Sequence, residues 1–167
     1  MYFEIRRRKE IIKVKIQRLL ISILLPFLAG GIGSVFTFDA IPTWYATLNK
    51  PFFNPPNFVF GPVWTTLYLL QGISLYLFWQ SKKKGSKEKG FKVFIAQVIL
   101  NALWSIIFFG MKLPPVALAE IVLLWIVIFM TIQEFRKFDK TASYLLWPYL
   151  AWVSFATLLN LFIVILN

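Results

Sequence analysis

The chain has 167 residues, 59% of them hydrophobic and 19% aromatic, and a mean hydropathy of +0.70, which excludes an ordinary water-exposed globular surface. It has no cysteine and no histidine, so disulfides, structural zinc, serine–histidine or cysteine–histidine catalysis and the usual axial ligands of haem iron are all excluded. The formal net charge of +11 does not signal a nucleic-acid partner, because the cations are gathered in alternate connections between apolar stretches.

Residues 1–18 form a basic segment in which Arg6, Arg7, Arg8, Lys9, Lys13, Lys15 and Arg18 alternate with Ile11, Ile12, Val14 and Ile16. Such a segment suits either an amphipathic helix on a membrane surface or an extension of the helix that follows. Residues 19–167 read as one all-α domain, with apolar stretches at Leu19–Phe38, Phe60–Gln80, Val93–Met111, Val116–Thr131 and Ser143–Leu166. Crossing a hydrocarbon core takes about 20 helical residues, so the expectation is an integral membrane bundle of five transmembrane helices. The first stretch has the basic flank of a cleavable leader, but its apolar run continues to Phe38, beyond the usual leader core. Its small pairs, Ala29-x-x-x-Gly33 and Gly30-x-x-x-Ser34, suit close packing inside the bundle or the face of a homodimer.

The first connection is the least generic part of the chain: Trp44-Tyr45-x-x-Leu48-x-Lys50-Pro51-x-x-x-Pro55-Pro56-x-x-x-Phe60-Gly61-Pro62-Val63-Trp64-x-x-Leu67-Tyr68. Its prolines keep the backbone extended and stop the preceding helix from continuing. The next helix is expected to begin near Gly61-Pro62, since proline suits a first turn. Eight aromatics in this span make it either a lid over the mouth of the bundle or a belt at headgroup level.

The second connection, which runs to Lys92, holds a polar, lysine-rich hinge at Ser81–Lys89, and Lys112-Leu113-Pro114-Pro115 is a tight turn between the third and fourth spans. Sixteen of the eighteen Lys and Arg fall in the N-terminal segment and the second and fourth connections, leaving only Lys50 and Lys112 elsewhere. That asymmetry predicts an inside N-terminus, an outside C-terminus and an outside first connection, with membrane lipid as a partner. Glu120 is the one acid well inside a stretch. It lies about five residues beyond Pro115, roughly 7.5 Å of helix, and suits a local hydrogen bond, snorkelling or a proton relay.

Amides and aromatics recur at helical spacing. Gln97, Asn101, Trp104 and Phe108 share one face of the third span, Trp64, Tyr68 and Gln71 one face of the second, and Trp152, Ala156 and Asn160 one face of the fifth. An amide in hydrocarbon turns inward to a partner or a cavity. Each alone suits interhelical hydrogen bonding; three such stripes beneath an aromatic connection suit an enclosed pocket for a flat ligand.

Three blocks carry a family resemblance that extends from about Gly33 to Asn160. They are the first connection, Gln97-x-x-x-Asn101-x-x-Trp104-x-x-x-Phe108-Phe109-Gly110, and Pro148-Tyr149-Leu150-Ala151-Trp152-x-x-Phe155-Ala156-Thr157-x-Leu159-Asn160. Together they resemble the translocator protein / tryptophan-rich sensory protein family, the peripheral-type benzodiazepine receptors. The resemblance implies a five-helix bundle whose pocket takes porphyrins and benzodiazepine-type or isoquinoline ligands. By position it implies Tyr45, Trp64, Asn101, Trp104, Trp152 and Ala156 as ligand-binding residues, with no metal site and no required cofactor. Bacterial members of the family are associated with light-dependent protoporphyrin breakdown, for which the matching tryptophans are Trp64 and Trp152. The small pair that members carry on the third span as a dimer contact is absent from Phe91–Ala96, and the tyrosine and arginine of the animal sterol motif do not follow Asn160.

Three functions therefore stand open: a receptor or sensor that binds a tetrapyrrole and regulates its level or traffic, a light- and oxygen-dependent porphyrin-degrading enzyme, and a transporter. No acid–base pair shares the stripes, so any chemistry would rest on the ligand's photochemistry and indole oxidation.

Overall fold

The computed structural model describes residues 2–167; the side chains of Arg6, Arg7, Arg8, Lys9 and Ile11, expected on the charged end, lie outside the described residues. Helix α1 runs unbroken over Tyr2–Ala40, about 58 Å at 1.5 Å per residue, far longer than a hydrocarbon core of about 30 Å. Residues 12–17 are exposed on every face, so the basic segment prolongs the first membrane helix rather than folding beside it. After a short turn of helix α2 (Trp44–Thr47) come α3 (Asn57–Gln80), α4 (Glu88–Ser105) with a π-helical turn at Ile106–Gly110, and α5 (Pro114–Arg136). Helices α6 (Lys140–Tyr144) and α7 (Trp147–Leu166) complete the chain. Five segments are long and apolar enough to cross a membrane, and no strand occurs among the described residues.

Helix α1 packs on α3 and α4, α4 on α5, and α5 on α7. The α1–α3 crossing follows from two residues. Pro26 lies inside α1, where its missing N–H leaves the Ser22 carbonyl without its helical donor. That carbonyl faces Gly72 of α3: a Cβ added there would stand 3.1 Å from the Ser22 oxygen and 2.8 Å from Ile23 Cα. Only glycine lets the two backbones approach so closely. Ala29 and Gly33 are buried, Gly33 against Ser105 and Gly30 against the ring of Tyr68. The small residues of α1 that are buried thus serve packing within the chain.

Several boundaries differ from the sequence expectation, each for a local reason. Helix α3 starts at Asn57, not near Gly61, and Pro62 sits inside it. Pro56 at the helix start has the extended backbone that launches it, and Pro62 leaves the Phe58 carbonyl without its helical donor. Helix α5 continues past Thr131 to Arg136 because Glu134 is neutralised by Lys89 at 3.0 Å and Lys137 at 2.8 Å. The last span is two helices, not one, broken at Leu145-Leu146 before Pro148, whose ring excludes the carbonyl four residues back.

The end of the bundle that holds the lysine-rich connections is filled. Phe78 stacks on Phe135 at 4.0 Å, Phe94 stacks on the other side at 5.7 Å, and Phe91 and Phe138 meet Phe78 edge-on. Ser74 donates to the Ala142 carbonyl at 2.6 Å and Asp139 caps α6 by accepting from the Ala142 N–H.

Candidate ligand-binding site

The opposite end of the bundle is hollow. A cavity of about 450 Å³ lies beneath the first connection, walled by α1, α3, α4 with its π turn, and α7. Small-molecule sites typically measure about 300–1,000 Å³ and are mostly apolar, and this one is lined chiefly by aromatic and aliphatic side chains with a few hydroxyls.

The connection both covers the cavity and faces the interface. Tyr45 is buried, lines the cavity and packs against Phe108 and Phe109 at 6.3 and 5.7 Å between ring centroids. Its hydroxyl donates to Asn54 Oδ1 at 2.8 Å, and the Lys50 ammonium sits 4.9 Å over its ring. Desolvation pushes the Tyr45 hydroxyl up to about 12, against the lowering effect of the Asn54 bond. The tail of the connection is pinned to the end of α7: Asn49 N–H donates to Asn167 Oδ1 at 2.9 Å, and Asn167 Nδ2 donates to the Asn49 carbonyl at 3.0 Å. Phe53 packs on Phe155 and Phe162. Phe52, fully exposed, and Phe58 point outward as a belt would.

The π turn brings two consecutive phenylalanines under this lid. Met111 N–H reaches the carbonyl of Ile106, five residues back, at 2.8 Å, so the turn holds one residue more than an α-helix would. Phe108 and Phe109 both contact Trp44, Tyr45 and Trp104. Gly110 makes room for Phe36 of α1, which a Cβ would meet at 2.7 Å. Such π turns often mark functional sites.

Tyr45, Trp64, Trp104, Trp152 and Ala156 all line the cavity; Asn101 does not. Asn101 is buried behind the wall, where it accepts from the Tyr68 hydroxyl at 3.2 Å and donates to the Tyr149 hydroxyl at 3.1 Å. Tyr68 in turn stacks on Trp64 at 5.5 Å, and Trp64 meets Trp152 edge-on at 6.5 Å. Asn101 therefore supports the tryptophan wall through two tyrosines. Asn160 plays the corresponding part for Trp104: it accepts from the indole N–H at 3.2 Å and donates to the Pro114 carbonyl at 2.9 Å, joining α4, α7 and α5. The Trp152 indole nitrogen is buried and finds no hydrogen-bond partner among the described residues. Gln97 and the Gln71 amide nitrogen likewise find no protein partner, and neither residue lines the cavity. Both Glu120 oxygens are buried and unpaired, outside the lining.

The sequence stripes gave no place to α1, yet Phe27, Gly30, Gly31, Gly33, Ser34 and Thr37 form one wall. The run Ala29–Ser34 carries the signal, because residues that small leave space wherever a neighbour does not fill it. No group of three or more His, Cys, Asp or Glu placed to hold a metal occurs among the described residues.

Residues 22–166 match the TspO/MBR family. The chain is 45% identical over 155 residues to the tryptophan-rich protein TspO of Archaeoglobus fulgidus, covering 92% of this chain and 99% of the relative. It is 38% identical over 140 residues to the human translocator protein, covering 82% of each chain. The tryptophan-rich sensory protein of Cereibacter sphaeroides is 38% identical over 117 residues, or 70% of this chain and 72% of that protein.

Proposed function

This chain belongs to the TspO/MBR family of multi-pass membrane proteins, and we propose that it is a receptor that binds a porphyrin-type tetrapyrrole in the lidded cavity and thereby regulates tetrapyrrole level or traffic. One observation carries the reading: five aromatic or small residues from three separate helices and a loop, Tyr45, Trp64, Trp104, Trp152 and Ala156, converge on one cavity of about 450 Å³. Flat aromatic walls suit a flat conjugated ligand, because stacked and edge-on ring contacts add to burial. The chain offers no His or Cys as an axial ligand, and the reading has the ligand held by shape and by stacking on the aromatic wall. The filled aromatic core at the lysine-rich end favours a binding protein over a conduit through the bundle. The test is a tryptophan-fluorescence titration of the reconstituted protein with protoporphyrin. Saturable quenching at one site per chain supports the reading, and an unsaturable, lipid-like response overturns it.

A second reading, light- and oxygen-dependent breakdown of the porphyrin, draws on the edge contact of Trp64 with Trp152 and the free Trp152 indole N–H. Both indoles stand in the wall, where an excited ligand would meet them. Illumination with protoporphyrin in air and under argon separates the readings: protein-dependent product formed only in air supports the enzyme, and reversible quenching alone supports the receptor.

A further inference from the structure

Six residues line the cavity while also lying exposed on the outside of the bundle: Phe27, Gly31 and Ser34 on α1, and Asn57, Gly61 and Thr65 on α3. A residue that belongs to both surfaces marks the rim of an opening. On each helix the three are spaced as one face, at i, i+4 and i+7 or i+8. No exposed residue of α4, the π turn or α7 contributes to the lining. The opening is therefore a slit between α1 and α3.

Its form follows from how these helices cross. They touch backbone to backbone at Ser22–Ile23 and Gly72, and the Tyr68 ring closes on Gly30 one level further along. Beyond that they part, and a Cβ built on Gly31 or on Gly61 meets nothing within 4 Å. The rim hydroxyls are turned back on their own helices: Ser34 donates to the Gly31 carbonyl at 2.7 Å and Thr65 to the Gly61 carbonyl at 2.9 Å. Self-satisfied hydroxyls are what a surface facing hydrocarbon requires.

The slit faces lipid and not water. Around it α1 exposes Leu28, Ile32 and Val35, the last to 71%, and α3 exposes Phe58 and Leu69. The end of the cavity under the lid is closed by buried Tyr45, and the lid is pinned by the Asn49–Asn167 pair. We infer that the cavity loads sideways: a flat apolar ligand first dissolves in the bilayer, then passes between α1 and α3, while the lid bars the aqueous route. The ligand's chemical class rests on the tetrapyrrole reading, but the route does not.

A chain without cysteine allows a test that needs no tetrapyrrole. In liposomes, the Ala156→Cys thiol inside the cavity is offered pyrene maleimide, which partitions into lipid, or a sulfonated maleimide, which does not. The lipophilic reagent should react faster by about tenfold or more relative to free thiol, because a closed apolar site excludes water. Gly31→Trp with Gly61→Trp, which fill the rim where space is open, should remove that advantage. Equal reactivity towards both reagents, or an advantage that survives the two indoles in folded protein, overturns the slit. Protoporphyrin exchange gives the second arm. Gly31→Trp with Gly61→Trp should also slow the release of preloaded protoporphyrin by about tenfold, which a mere loss of affinity would not do. Should a disulfide between Asn49→Cys and Asn167→Cys slow exchange instead, the ligand passes under the lid and the inference fails. Loss of saturable protoporphyrin binding in the parent, with the labelling preference intact, would fault the ligand assignment and leave the slit standing.

Discussion

Ala156 presents a single methyl group to the cavity one helical turn from Trp152. A ring at that position would occupy the space the ligand needs without burying a new polar atom. Ala156→Phe is therefore expected to abolish protoporphyrin quenching while leaving resistance to denaturing detergent within about 1 kcal/mol of the parent, a volume added into a void rather than into packed core. Asn101→Leu should do the reverse. It strands the Tyr68 and Tyr149 hydroxyls, so it should cost about 1–3 kcal/mol of stability and affect binding only as far as the Trp64 wall loosens. A detergent-unfolding curve beside a fluorescence titration reads both quantities; binding lost in Asn101→Leu at full stability would mean that the amide touches ligand directly. Tyr45 adds a pH dependence. Its hydroxyl titrates at about 12 in place of the usual 10, so ionisation is harder in the closed lid than in the unfolded chain. The lid is then unaffected below pH 10 and loses stability as the pH rises towards 12. Affinity should fall over that interval with the tyrosinate absorbance, and Tyr45→Phe should flatten the profile. Helical spacing placed Trp64, Trp104 and the Trp152–Ala156 pair each on one face of its own span, and only the family resemblance named them together as one wall. Spacing could not supply depth: Asn101 shares its face with Trp104, yet lies nearly one turn deeper, where two tyrosines close over it.

The spans were legible because twenty apolar residues in a row have few other uses, whereas the element ends were set by tertiary partners. Glu134 reads as a loop residue until Lys89 and Lys137 are seen beside it. The π turn at Ile106–Gly110 leaves no periodic trace, because five residues cannot establish a repeat. Its consequence, two adjacent phenylalanines under the lid, is visible only in three dimensions. The α1 wall was hidden for another reason. Glycine and serine advertise flexibility or close packing, and here the same run does both: Gly30 and Gly33 receive neighbours while Gly31 and Ser34 border empty space. The crossing that creates this division depends on Gly72. Gly72→Ala would set a methyl group against Ile23 Cα, backbone that cannot swing aside. The expected cost is about 1–3 kcal/mol, read by detergent unfolding, together with a wider slit and faster ligand exchange. A variant as stable as the parent would show that α1 slides freely on α3 and that the crossing does not set the slit.

The molecule as a whole is polarised, with a lidded cavity at one end and an aromatic core under a basic surface at the other. Arg18 lies 5.4 Å over Trp79, and Lys89 and Lys137 converge on Glu134, whereas Lys50 covers Tyr45 at the lid. Among the described side chains, the fold thus gathers at one end cations that the sequence distributes over three separate segments. Moving so many charges across a bilayer is opposed during insertion, and loops rich in Lys and Arg are retained inside. The lidded end, with Lys50 and Lys112 as its only cations, is then expected outside, and the blind cavity samples the outer leaflet. Ser86 and Phe52 report the two ends: both are exposed, the first among the lysines and the second on the outer surface of the lid. Placed singly as Ser86→Cys and Phe52→Cys, each gives the chain its only thiol. An impermeant maleimide added to intact cells should label position 52 and spare position 86 until the cells are lysed. Labelling of position 86 in intact cells with position 52 protected would invert the protein, turn its slit to the inner leaflet, and show that the basic end had crossed against its own charge.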